Sequence, residues 1–116
     1  MADTIFSYGN PEMVDHTPGS AVTGGKVVVV GNTPMVAHRD IAANKLGALA
    51  IRGGIYKMIA VEAISAGTKV WWIAASSKVD DSAATGDKHF GIALTASTAD
   101  GDTIDVFHNP DGTASA

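Results

Sequence analysis

The sequence predicts an all-β fold: a small single-domain β-barrel or sandwich, jelly-roll-like, with at most one short helix. Three observations carry this. Turn signals built from Gly, Pro, Asn and Asp recur every 8 to 15 residues along the 116-residue chain. Between them lie short runs rich in Val, Ile, Thr and aromatic residues, of strand rather than helix length. Only 17% of residues are charged, and Gly numbers 13. That mixture of small and β-branched residues suits a compact β protein whose surface is partly covered by other protein.

The elements follow in order. "TIFSY" (4–8) lies in an extended N-terminal arm, residues 1–12, closed by the turn signal "GNP" (9–11). "KVVVV" (26–30) is a β-branched run between "TGG" and "GNTP", and "MVAH" (35–38) starts after Pro34, whose fixed φ sets the turn entry. "ALAI" (48–51) overlaps the one segment with a helical alternative, "RDIAANKLGALAIR" (39–52). Asp40 is a candidate N-cap there, but Gly47 sits mid-segment and the apolar residues keep no 3.6 period. "RGG" (52–54) reads as a turn before "IYKMIAV" (55–61), and "SAG" (65–67) precedes "TKVWWIA" (68–74). A loop, "DDSAATGD" (80–87), leads to "HFGIALT" (89–95), and "ADGD" (99–102) to "TIDVFH" (103–108). The β domain therefore spans 13–109, and residues 110–116, ending in "DGTASA", form a flexible C-terminal tail.

Trp71 and Trp72 are the two tryptophans of the chain, and they are adjacent. Successive strand side chains point to opposite faces, so both cannot enter one core. Val70, Trp72 and Ala74 make a plausible core face. The other face then carries Trp71 and Ile73, which water does not favour. Strands apolar on both faces lie in a layered interior or at an interface. With few helices to act as a cover, Trp71 and Ile73 become candidate interface residues, or Trp71 packs beneath a loop of its own chain. Ile5, Phe6 and Tyr8 in the arm are candidates too, as groups laid across a neighbour by strand addition.

Chemistry finds little support. "VVVVGNTP" lacks the Gly-Lys-Ser/Thr that a phosphate loop needs, and Gly-x-Gly-x-x-Gly does not occur. His16, His38, His89 and His108 are not spaced as metal ligands, and cysteine is absent. No Gly-x-Ser-x-Gly elbow occurs. Asp80-Asp81 has the residue types of a glycoside-cleaving carboxylate pair, though a solvated loop explains it as well. The expectation is a non-enzyme with no cofactor, catalytic group or metal. The net charge is −4, and residues 80–116 hold seven Asp against Lys88 alone. Without a basic stripe a nucleic-acid partner is not expected. The N-terminus has no signal-peptide pattern and "VVVV" is too short to span a bilayer, so no membrane partner is expected either.

The ordered pieces "VDHTPGSAVTGGKVVVVGNTPMVAHRDIAANKLGALAIRGGIYKM", "ISAGTKVWWIAASSKV" and "HFGIALTASTADGDTIDVFHN" resemble the capsid cement or decoration proteins of tailed bacteriophages over roughly residues 5 to 109. The family was long catalogued as a domain of unknown function, and some members are mislabelled recombinase-like. The resemblance implies a virion protein made in the bacterial host cytoplasm and bound to the outer surface of the expanded head. There it would bridge major capsid protein subunits as a homo-oligomer, commonly a trimer, with a dimer as the alternative. Relatives often carry an acidic residue after the aromatic pair where this chain has Ile73, which makes that face more apolar. Two other readings remain at this point: a small-ligand or carbohydrate-binding β module using Trp71, Asp80 and Asp81, and a hydrolase with a triad drawn from His89 or His108.

Overall fold

The computed structural model describes residues 3–115. Met1 and Ala2 of the expected arm, and Ala116 of the expected tail, lie outside the described residues. Eight strands form one antiparallel sheet: β1 (Ile5–His16), β2 (Val27–Val30), β3 (Thr33–Ala37), β4 (Gly47–Ile59), β5 (Lys69–Ile73), β6 (Lys78–Asp80), β7 (Lys88–Ala93) and β8 (Thr103–His108). The order is β2-β3-β4-β8-β7-β5-β6, with β1 on the other edge of β4. The sheet curls into a half-barrel, and β6 returns toward the end of β4 through a parallel bridge, Ala60 to Val79. The fold is all-β as expected, and residues 39–52 contain no helix: the latter part joins β4.

β4 fuses two expected strands, because "RGG" is not a turn. Gly53 has φ 98° in mid-strand. A Cβ there would stand 2.5 Å from the Asn10 carbonyl oxygen. β1 is irregular opposite this point, with register shifts between Gly9 and Glu12. "GNP" and "RGG" are thus two sides of one bulged crossing, where the absent side chain lets the backbones approach. Gly31, at φ 62°, opens the two-residue turn between β2 and β3. From Ile5 on, the expected arm is the first two thirds of β1, laid on its own chain's β4 with Ile5 opposite Lys57.

One face of the curl holds the core: Tyr56, Met58, Val70, Trp72, Val79, Phe90, Ile104 and Val106 are all buried. Trp72 is 3% exposed, as its strand alternation requires. A smaller cluster of Ala37, Ile41 and Leu49 sits where β3 crosses β4. The β3 strand pairs with β4 only at Val36 and Ala37. Pro34, just before, has a carbonyl that finds no strand partner there. His108 Nε2–H donates to it at 2.7 Å. The ring of His108 is fully buried, stacked 4.5 Å from Phe90 and set edge-on to Tyr56. A buried side-chain donor thereby satisfies a backbone acceptor that the short β3–β4 pairing leaves out.

The C-terminal residues expected as a flexible tail are hydrogen-bonded instead. The N–H groups of His89 and Gly86 donate to the carbonyls of Thr113 and Ser115, and Ser115 N–H donates to Asp87. Asp111 N–H donates to His89 Nδ1 at 3.1 Å. The segment runs as a further short pairing partner for the start of β7, which satisfies backbone groups an edge would otherwise expose.

Candidate interaction surface

The pairing register sets out the face opposite the core. Tyr8 stands opposite Ile55, Ile55 opposite Phe107, and Phe107 opposite Ile92. This is one apolar row across β1, β4, β8 and β7, and it continues to Lys69 on β5. The neighbouring row holds Ile5, Lys57 and Asp105, with Leu94 N–H bonded to the Asp105 carbonyl. Cross-strand neighbours on one face lie about 5 Å apart, so each row is continuous. Tyr8 is 56% exposed, Ile5 65%, Ile92 38% and Leu94 41%. Ile55 is the exception, sunk against Gly9, where a Cβ would meet its Cδ1 at 2.9 Å. The Lys57–Asp105 pair, 3.0 Å apart, lies among these apolar groups. Four exposed apolar residues, Ile5, Tyr8, Ile92 and Leu94, thus share this face around the partly buried Phe107 and the charged pair.

The five residues expected at an interface do not form one patch. Ile5 and Tyr8 lie on this outer face. Phe6 points the other way, its ring 5.0 Å from that of His38 and 5.6 Å from Tyr56, where it closes one side of the core. Beneath it His38 Nε2 and the Tyr56 hydroxyl are hydrogen-bonded at 2.6 Å. Burial lowers the pKa of His38 and raises that of Tyr56. Trp71 and Ile73 share the outer face of β5, separated from β1 by the three strands β4, β8 and β7, and both are half-buried. Trp71 is covered in part by its own chain: His89 meets its ring edge at 5.7 Å between centroids, and Lys69 Nζ stands 5.6 Å over its face. That cation occupies the stacking platform a sugar ring would need.

Sequence reasoning missed Ile55, Phe107, Ile92 and Leu94. Their signal was present in alternation within β4, β7 and β8, but the row exists only once β8 is inserted between β4 and β7.

Among the described residues, Glu62, Asp80 and Asp81 bring carboxylates within 4.8 Å of one another. A hydrogen bond to Asp80 and its charge raise the pKa of Glu62; burial, then the contact with Asp80, raises that of Asp81. A cleft of about 470 Å³ elsewhere in the molecule is lined by other residues. His89 and His108 are not joined to a nucleophile: His89 Nδ1 meets Asp111, and His108 Nε2 meets the Pro34 carbonyl.

A family model described as phage cement protein matches residues 9–108. No curated protein and no solved structure matches the chain.

Proposed function

The chain belongs to the phage cement protein family, and from that membership we propose that it binds the outer surface of the expanded head and bridges neighbouring major capsid protein subunits. The observation that carries the assignment of a face is the set of exposed apolar residues opposite the core, Ile5 and Tyr8 on β1 with Ile92 and Leu94 at β7, which flank the partly buried Phe107 and the Lys57–Asp105 pair. Trp71 and Ile73 extend it at the β5 end. The role is structural and needs no catalytic group. Binding energy won only on the expanded lattice stabilises that lattice by linkage, and many copies on one particle multiply a modest affinity. A homotrimer is the expected assembled form, with a dimer as the alternative.

Co-sedimentation with expanded, undecorated heads of the parent phage tests this, with unexpanded proheads as control. Saturable binding to expanded heads alone is expected. Tyr8→Asp and Ile92→Asp, both at exposed positions, should each weaken binding about tenfold or more while leaving the melting temperature nearly unchanged. Equal binding to proheads, or no binding at all, refutes the proposal. Truncation of residues 2–12 is a poorer test, since it strips two thirds of β1 from β4 and uncovers Tyr56.

A further inference from the structure

A cleft of about 470 Å³ opens beside the outer face, between the starts of β1 and β8, the end of β4 and the turn into β6. Ile5 and Ile59 line it with apolar surface, and Lys26, Lys57 and Lys78 stand around it. These are three of the eight cationic side chains in a chain of net charge −4. Their aspartate partners differ in kind. Asp3, with a side chain 7% exposed, holds Lys26 at 3.4 Å and also accepts the Val27 N–H, so it belongs to the fold. Asp100, 65% exposed, meets Lys78 at 2.9 Å from a surface loop. An ion pair so open to water is worth little and exchanges readily with another carboxylate. Lys57 is 48% exposed and belongs at once to the cleft and to the outer face, where it pairs with Asp105.

We propose that this cleft receives an extended segment of the capsid subunit in which a large apolar side chain sits beside an Asp or Glu. The inference rests on the outer-face reading given above and deepens it by naming the chemistry of the partner. The apolar lining takes the side chain. Lys57 and Lys78 take the carboxylate, with Asp100 displaced from Lys78. The shell is taken as the source because the cleft is continuous with the outer face assigned to it above, and this chain's own Asp100 and Asp105 already hold Lys78 and Lys57 from within. Ile5, 65% exposed at the cleft edge, joins the anchor site to the flat contact beside it.

The test couples amines directly to carboxylates with a zero-length carbodiimide on expanded heads decorated with the wild-type protein. Peptide mass spectrometry should find Lys57 or Lys78 joined to an Asp or Glu of the major capsid protein. Lys57→Gln/Lys78→Gln should bind heads about tenfold more weakly, and Lys57→Arg/Lys78→Arg within about twofold of wild type. Wild-type affinity should fall with added salt more steeply than that of the Gln variant. Unchanged affinity of the Gln variant, or Lys57 and Lys78 joined to another copy of the chain, overturns the cleft assignment while the cement role stands. Failure of the wild type to bind heads overturns both. The melting temperature of each variant, expected near that of wild type, separates lost contact from lost fold.

Discussion

Trp71 and Trp72 divide the work of one dipeptide. Trp72 fills the core at 3% exposure. Trp72→Ala should cost about 3–5 kcal/mol in chemical denaturation, the usual loss for a buried aromatic. Trp71→Ala should cost about 1 kcal/mol, since solvent, Lys69 and His89 share its surroundings. Equal losses would place Trp71 in the core as well. The division was legible because strand alternation is a local rule. The His89 cover was not, because a bulge between Val70 and Trp71 sets the register against β7. His108 is the second residue whose setting decides its behaviour. Burial pushes its pKa down to about 4 from 6.5. In the unfolded chain it takes up a proton near pH 6.5, while the folded chain resists until about pH 4. Stability is therefore full above 6.5 and falls as pH drops between those values, by about 3 kcal/mol at the lower limit. His108→Gln keeps a donor for the Pro34 carbonyl and removes the titration. Its unfolding free energy should be flatter between pH 7 and 4.5 than that of wild type; equal slopes would refute the assignment.

Elements were legible where apolar runs and turns alternate cleanly, as in β2, β3, β5, β7 and β8. Two failures have one cause, that glycine reads alike in a turn and in a close approach. "RGG" and "GNP" are interior to β4 and β1, and only the pairing between those strands shows why. β6 escaped notice because three residues carry no period, although Val79 within it is fully buried. The competing helix at 39–52 lost because Gly47 packs where a Cβ would strike the Ile41 side chain at 2.7 Å. Glycine packing gives a sharp test at β7. A Cβ on Gly91 would lie 1.8 Å from the Phe107 carbonyl oxygen. Gly91→Ala should cost about 3 kcal/mol or more, by forcing β7 from β8. Gly31→Ala meets open space and should cost only about 1–2 kcal/mol, the strain of its left-handed backbone. Comparable melting temperatures for the two variants would show that β7 and β8 yield more easily than their packing indicates.

At the scale of the whole molecule, class was legible and arrangement was not. Nothing local indicates that β8 lies between β4 and β7, or that β1 takes the remaining edge of β4. The outer apolar rows inherit that illegibility, since each is assembled from strands distant in sequence. The same holds for the cleft, whose lysines come from the loop before β2, from β4 and from β6. The long open edge of β1 is broken by its bulges and by Pro11, with Glu12 and Asp15 alongside. Such features discourage edge-to-edge pairing between free copies.

The position of β8 also sets a clock on the molecule. It follows the other seven described strands in the chain and is the one that joins the two wings of the sheet. Until residue 108 emerges, β4 lacks its partner on that side, the Pro34 carbonyl lacks its donor, and the core face of β5 to β7 has no closing wall. Folding must then wait for residues 103–108, and pairing between distant segments makes it slow. A chain stopped before residue 103 would be not a smaller version of the protein but two unpaired sheet fragments, apolar on both faces and prone to join with others of its kind.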